Sequence, residues 1–158
     1  MPALATGVFE VCVFRINEGE PQYLLLKRSD TDRLYPGIWQ VVTGTVEEGE
    51  HTVRAALREV QEETNLRLQR LWAVPRVNAF YAAEKDSIYL SPFFAGQVGV
   101  GVEPRLSPEH MLYKWAPFAK AMMLIPWPGQ RQGLELVHEY IVTGHEMASL
   151  TELTSQYL

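Results

Sequence analysis

The chain has 158 residues, of which 47% are hydrophobic and 21% charged, a composition ordinary for one folded domain with a sizeable core. Its formal net charge of -5 gives no bulk attraction for nucleic acid or for an anionic membrane, so we expect neither as a partner. The chain has a single cysteine, no secretory signal in Met1–Val13 and no apolar run near the roughly 18 residues of a membrane span. We therefore expect a cytoplasmic protein, and the length predicts one domain, residues 1–158.

The first third of the chain is predicted to form short strands. β-Branched and aromatic residues, separated by clusters of polar residues, glycine and proline, are typical of a hairpin followed by a further strand. The predicted strands are Val8–Ile16, Gln22–Arg28 and Trp39–Thr43, and the turns or loops between and after them are 17–21, 29–37 and 44–49.

The hydrophobic period changes to that of a helix between Thr52 and Thr64. Val53, Ala56 and Val60 recur at helical spacing with charged residues on the other side. Asn65 then follows, and asparagine is second to glycine at the left-handed position that ends many helices.

Strand-like segments return after this helix. Pro75 and Pro92 lie inside two of them and predict bulges or edge positions. The predicted elements are strands at Leu68–Ala82, Ser87–Val98 and Leu112–Ala116, a turn at 84–86, a loop at 100–108 and an amphipathic helix at Pro128–Val142 with Leu134, Leu136, Val137 and Ile141 inward. Strands on both sides of a helix predict an α/β fold, a mixed sheet packed between helices.

Three glutamates share one face of the first helix. Glu59, Glu62 and Glu63 stand at i, i+3 and i+4, where like charges repel, and they lie near the negative end of the helix dipole. One interpretation is a solvated acidic surface. The other is a site for a divalent cation, which would make the same arrangement favourable, and carboxylate oxygens suit Mg²⁺ or Mn²⁺ rather than Zn²⁺.

The loop before the helix supplies matching parts. Gly44 offers a backbone carbonyl with no side chain to crowd an ion, and Arg58 is placed to pair with Glu50 and hold the loop against the helix. These residues favour the cation site over a solvated face.

The segment from Gly44 to Leu66, GTVEEGEHTVRAALREVQEETNL, resembles the Nudix box. That box is Gly, five residues, Glu, seven residues, Arg-Glu, an aliphatic, any residue, Glu-Glu, any residue, Gly and an aliphatic. Six identities, each met by chance roughly one time in fifteen, coincide on the order of 10⁻⁷ per starting position. The one departure is Asn65 for Gly, and asparagine also tolerates a left-handed backbone.

The resemblance implies a Nudix α/β/α sandwich in which the box forms a loop-helix-loop. It also implies that Glu59, Glu62 and Glu63 bind metal together with the Gly44 carbonyl. Arg58 and Glu50 correspond to the family's orienting pair. His51 stands where the family often has a capping Thr, so Thr52 is expected to take over as the cap.

Segments outside the box resemble the dihydroneopterin triphosphate pyrophosphatase or dATP pyrophosphohydrolase branch of the family. These segments are Trp39–Glu50 and Glu109–Trp115. The branch implies Mg²⁺-dependent hydrolysis of a nucleoside or pterin triphosphate at a phosphoanhydride bond, giving a monophosphate and pyrophosphate. Glu109 is implied as an extra metal ligand or as the general base.

The division of roles at the site stays open. The proton acceptor is Glu59 or Glu109, and Glu62 and Arg58 complete the predicted catalytic set. Arg28 and Trp39 are candidate substrate contacts, a phosphate ligand and a base contact respectively. A surface ion pair for Arg28 and core packing for Trp39 are the alternatives.

Other functions fit the same residues. The alternatives are a dinucleoside polyphosphate or oxidised-nucleotide hydrolase of the same family, a non-catalytic nucleotide sensor, and a purely structural acidic helix. The sensor is disfavoured because such relatives usually lose the box carboxylates, which this chain keeps. The sequence leaves the substrate, the number of metal ions and the oligomeric state open, with a homodimer as one alternative.

Overall fold

Strands from both halves of the chain join in one eight-stranded mixed sheet in the computed structural model, which describes residues 1–158. The strands are β1 (Ala3–Ala5), β2 (Val8–Asn17), β3 (Glu20–Arg28), β4 (Trp39–Gln40), β5 (Val42–Thr45), β6 (Arg70–Ala82), β7 (Ser87–Gln97) and β8 (His110–Ala116). β7 lies parallel to β1 and β2, whereas the β2–β3, β2–β5, β3–β4, β3–β8 and β6–β7 pairs are antiparallel. The predicted α/β class and mixed sheet are confirmed.

The β2–β3 hairpin opens away from its turn, and β4 and β5 fill the gap. Near the turn β2 pairs with β3, but the first half of β2 pairs with β5 and the end of β3 pairs with β4. The predicted strand Trp39–Thr43 is therefore wrong in its bounds. Backbone pairing stops at Val41, whose N–H donates instead to Gln130 Oε1 at 3.2 Å, and Gly44 lies in β5 rather than in a loop.

The β6–β7 pair shows the effect of its prolines. Its register shifts between Ala73 and Val77, around Pro75, and Pro92 lies opposite Val77. Proline has no N–H to donate to the ladder, so the predicted irregularity is confirmed at Pro75. The turn at 84–86 takes the form of a short 3₁₀ helix, Ala83–Lys85. β1 was not predicted, since Ala3–Ala5 is too short to carry a recognisable strand pattern.

Helix α1 spans Thr52–Thr64, as predicted. The expectation that Thr52 caps it is wrong: His51 is the N-cap, and its Nδ1 accepts a hydrogen bond from the Val53 N–H at 3.3 Å. Asn65 ends the helix with φ 57°, which confirms the predicted left-handed position. Val53, Ala56 and Val60 are buried against one face of the sheet.

The C-terminal helices cover the other face. They are α2 (Phe118–Leu124), α3 (Pro128–Leu136), a π-helical continuation (Val137–Val142), a 3₁₀ helix (Glu146–Thr151) and α4 (Thr154–Tyr157). Leu134, Val137 and Ile141 are buried and Leu136 partly so, which confirms the predicted inward face, although the helix changes pitch at Val137. No helix is both long enough and apolar enough to span a membrane.

Candidate active site

The acidic face of α1 lies directly over β5. Gly44 pairs with Phe9 in the sheet, and a Cβ built on Gly44 would lie 2.5 Å from Glu59 Cγ and 2.6 Å from Phe9 Cζ. Both distances are well inside van der Waals contact, so glycine is what allows the helix to approach the strand. The backbone of Gly44 and the Glu59 side chain are thereby brought together.

Arg58 joins the helix to the loop that precedes it. Its guanidinium donates hydrogen bonds to both carboxylate oxygens of Glu50, at 2.9 Å each, and to the Thr45 carbonyl at 3.0 Å. Its third nitrogen, Nη1, donates hydrogen bonds to the Glu59 carboxylate at 3.0 Å and to the Glu62 carboxylate at 3.2 Å. The ion pair expected between Arg58 and Glu50 therefore forms, and it lowers the pKa of the Glu50 carboxyl.

Glu63 is the buried member of the acidic face. Its residue is 4% exposed, and Oε2 has no hydrogen-bond partner. Burial, followed by the charges of Glu59 and Glu109, raises the pKa of Glu63 to about 9. Burial also raises the pKa of Glu59, although its hydrogen bond from Arg58 opposes the shift. The side chain of Glu62 is 58% exposed, so this glutamate stands at the solvent side of the face.

The start of β8 and the residue before it bring two more groups to Glu63. The Ser107 N–H donates to the Glu63 carbonyl, and one ligand atom each of Glu63, Glu109 and His110 lies within 4.8 Å of the others. His110 is buried with neither ring nitrogen hydrogen-bonded, and burial lowers its pKa to about 4, so the ring is neutral near pH 7.

The two predicted substrate contacts lie in different places. Arg28 lies opposite His110 where β3 meets β8, and its guanidinium is held by Asp32 at 2.6 Å and by the Leu34 carbonyl at 3.0 Å. Trp39 packs partly buried against the core on the α3 side, with the Lys114 ammonium 5.7 Å from its ring centroid. The structure therefore places Arg28 near the acidic face and Trp39 in packing, and a substrate contact for either stays a prediction.

A cavity of about 570 Å³ opens beside the acidic face. Its lining includes Glu10, Tyr35, Gln40, Gly44, Asn78 and Trp127, but not Trp39. Gly44 and Thr45 therefore border both the cavity and the Arg58 network. Sequence reasoning missed the cavity residues, although one signal was present: Glu10 is a charged residue inside the otherwise apolar run from Val8 to Phe14.

The donor set at the acidic face fits a hard divalent cation. Ligand atoms of Glu63, Glu109 and His110 lie within 4.8 Å of one another, and Glu59 and Glu62 stand beside them on α1, so carboxylate oxygens predominate and no thiolate is present. A buried carboxylate oxygen without a partner is costly in a folded protein unless a cation or a proton compensates it. The unpartnered Oε2 of Glu63 is therefore the atom that points most directly to a bound metal.

Comparison with known proteins agrees with this geometry. The model of the NUDIX domain family matches residues 8–137. The octanoyltransferase of Myxococcus xanthus is 34% identical over 116 residues, which are 72% of this chain but 32% of that longer protein. The asymmetrical bis(5'-nucleosyl)-tetraphosphatase of Rattus norvegicus is 32% identical over 124 residues, 76% of this chain and 80% of the relative.

Among solved structures, the dihydroneopterin triphosphate pyrophosphohydrolase of Escherichia coli superposes with a TM-score of 0.71. The sequences are 25% identical, and the match covers 88% of this chain and 99% of that one. The family model and the shared fold confirm the resemblance drawn from the Gly44–Leu66 segment. The chain belongs to the Nudix hydrolase family.

Proposed function

We propose that this enzyme hydrolyses a nucleoside or pterin triphosphate at a phosphoanhydride bond, releasing a monophosphate and pyrophosphate. The observation that supports the proposal is the continuity of the cavity with the acidic face through Gly44. A heterocycle in the cavity would place its phosphate chain toward the carboxylates. A cavity of about 570 Å³ falls in the size range of small-molecule sites.

Mg²⁺, with Mn²⁺ as a substitute, is the proposed cofactor. Glu59, Glu62 and Glu63 would hold it with the Gly44 carbonyl, and Glu109 would add a further oxygen from the segment before β8. When bound, such an ion neutralises phosphate oxygens and lowers the pKa of a water molecule. The unpartnered oxygen of Glu63 supports this assignment.

The side chains of the site perform the remaining tasks. Arg58, fixed by Glu50 and the Thr45 carbonyl, positions Glu59 and Glu62 by donating to both. Glu59 or Glu109 accepts the proton from the attacking water, and the raised pKa of Glu59 brings this carboxylate closer to the pH at which a base is most effective. Arg28 would contact a phosphate after releasing Asp32, with which it is paired in the structure.

A dinucleoside polyphosphate is the second candidate substrate. The similarity to the tetraphosphatase of Rattus norvegicus, which extends over most of both chains, favours it. The products differ: a dinucleoside tetraphosphate cut asymmetrically gives a nucleoside triphosphate and a monophosphate, whereas a triphosphate gives pyrophosphate.

The test is a product analysis with dATP, GTP, dihydroneopterin triphosphate and diadenosine tetraphosphate, with and without Mg²⁺. We expect pyrophosphate release from a triphosphate, dependent on the metal. Glu62→Gln is expected to lower kcat at least about 100-fold with folding intact, because it removes charge from the exposed side of the metal site. Glu48→Gln, at an exposed loop acid nearby, is the control and should keep wild-type kcat.

Two results would contradict the proposal. Binding of nucleotides without any turnover would indicate a sensor rather than an enzyme. Near-normal kcat in Glu62→Gln and in Glu63→Gln at saturating Mg²⁺ would remove the acidic face from the mechanism.

A further inference from the structure

Most of the buried polar side-chain atoms without a hydrogen-bond partner lie at one end of the acidic face. The protein has six such atoms, and four of them belong to Glu63, Ser107 and His110. His110 is 6% exposed, and both of its ring nitrogens are among the four. A neutral imidazole can donate through one nitrogen and accept through the other, and packing alone does not compensate for the loss of both hydrogen bonds.

An irregularity in the sheet turns the His110 ring toward helix α1. The register of β3 and β8 shifts at Arg28, which pairs with His110 rather than with Met111. Leu26, two residues before Arg28 on β3, belongs to the hydrophobic cluster under α1. Residues two apart on a strand share a face, and so do residues paired across two strands. The imidazole therefore lies on the side of the sheet that carries Glu63.

Backbone hydrogen bonds fix the segment before β8 against the end of α1. The Arg105 N–H donates to the Thr64 carbonyl at 2.8 Å, and the Ser107 N–H donates to the Glu63 carbonyl at 3.2 Å. The His110 N–H in turn donates to the Ser107 carbonyl at 3.2 Å. The position of the imidazole relative to the Glu63 carboxylate is thus set by the backbone.

The ligand atoms of this group are close enough for one ion to join them. One such atom each of Glu63, Glu109 and His110 lies within 4.8 Å of the others. An ion with bonds of about 2.1 Å holds opposite ligand atoms about 4.2 Å apart and adjacent ones about 3 Å apart, so side-chain movements of about 1 Å suffice. The nearby positive charge of Arg28 is offset by its ion pair with Asp32 at 2.6 Å.

An imidazole ligand changes which ions a site favours. Mg²⁺ prefers oxygen ligands, whereas nitrogen ligands favour transition-metal ions, with affinity rising from Mn²⁺ to Co²⁺. Resting on the proposed function for the presence of a metal, we propose that His110 is a nitrogen ligand beside Glu63 and Glu109, and that this position takes Mn²⁺ or Co²⁺ in preference to Mg²⁺. Glu59 and Glu62, which are hydrogen-bonded to Arg58, add only oxygen atoms to the site.

The first test identifies the ligand atom directly. Equimolar Mn²⁺ is added to the metal-free wild-type protein without nucleotide, and pulsed electron paramagnetic resonance records the coupling of its electron spin to imidazole nitrogen. We expect this coupling, and we expect it to change when the histidines carry the heavy nitrogen isotope. No other histidine lies near Glu63: His51 begins α1, roughly 18 Å away along the helix axis, and His138 and His145 lie on the α3 side of the sheet.

The second test measures the preference between ions. Competition of Mg²⁺ against Mn²⁺ should show that the wild type binds Mn²⁺ at least about 10-fold more tightly. His110→Gln, which replaces the imidazole by an amide, should lower the Mn²⁺ affinity by about 10-fold or more and change the Mg²⁺ affinity by less than about 3-fold. His145→Gln, the same substitution at an exposed histidine, is the matched control and should keep both affinities and the nitrogen coupling.

The outcomes separate this inference from the proposed function. Mn²⁺ that does not bind, that binds without imidazole coupling, or that keeps this coupling in His110→Gln would overturn the nitrogen ligand, while Mg²⁺-dependent hydrolysis stands. Imidazole coupling that His110→Gln abolishes, in a protein that turns over no nucleotide, would leave the ligand in place and overturn the hydrolytic proposal. If His110→Gln does not fold, as judged by circular dichroism, the wild-type spectrum still decides.

Discussion

Replacing Glu63 by Gln should stabilise the metal-free protein, although the residue lies in the proposed metal site. The carboxyl group is buried and its pKa is raised to about 9 from an ordinary 4.5. The unfolded chain releases this proton near pH 4.5, whereas the folded protein keeps it until about pH 9. Between these values the folded state binds more protons, so the free energy of unfolding falls as pH rises.

The size of the effect follows from the same interval. Each pH unit between 4.5 and 9 costs about 1.4 kcal/mol, which makes about 3 kcal/mol at pH 7. Glutamine has the same shape and no proton to lose, so Glu63→Gln removes this cost. For a domain of this size the gain corresponds to a rise in Tm of roughly 6–12 °C at pH 7.

The assay is urea unfolding of both proteins in EDTA from pH 5 to pH 8.5. The advantage of Glu63→Gln should be below about 1 kcal/mol at pH 5 and grow with pH. Mg²⁺ should raise the Tm of the wild type more than that of the variant. Glu62→Gln, which removes an exposed carboxylate, is the control and should show no such growth. A Glu63→Gln variant that is less stable at pH 8, or equally shifted at every pH, would refute the reasoning.

Two further substitutions test the geometry around α1. Gly44→Ala should lower the free energy of unfolding, measured in urea, by about 1–3 kcal/mol, because its Cβ would overlap Glu59 Cγ and Phe9 Cζ. Gly7→Ala, with open space around it, is the control and should change this free energy by less than about 0.5 kcal/mol. Equal effects of the two substitutions would contradict the close approach of α1 to β5. Asn65→Ala should lower the free energy of unfolding by about 1–2 kcal/mol, because Asn65 has a left-handed backbone with φ 57°. Asn65→Gly should not lower it, since glycine adopts this conformation without strain. A loss of Tm in both variants would mean that the Asn65 side chain, rather than its backbone conformation, stabilises the helix end.

The arrangement of the acidic face and its arginine could be predicted from the sequence because its parts are local. Gly44, Glu50, Arg58 and the three glutamates of α1 lie within one short segment, so helical geometry alone puts the acids on one face and the arginine near its partner. The left-handed end at Asn65 followed from the conformational range of asparagine.

The cavity could not be predicted in the same way, because its residues come from distant segments. Glu10, Gln40, Asn78 and Gln130 meet only through the register of β2, β4 and β6 and the docking of α3. The break at Val41 is also a long-range effect, since its N–H is taken by Gln130 from another element. Glu10 could be singled out as a charged residue among apolar strand residues, but the sequence around it does not indicate which residues it contacts.

The short strands β4 and β5, which lie between β2 and β3, fix the distance between two parts of the site. Gln40 and Gly44 lie on the same piece of backbone, four residues apart, and both flanks of it are hydrogen-bonded into the sheet. Four residues of extended chain span at most about 13 Å. The cavity wall at Gln40 and the edge of the acidic face at Gly44 are therefore held at a separation fixed by backbone pairing rather than by a movable loop.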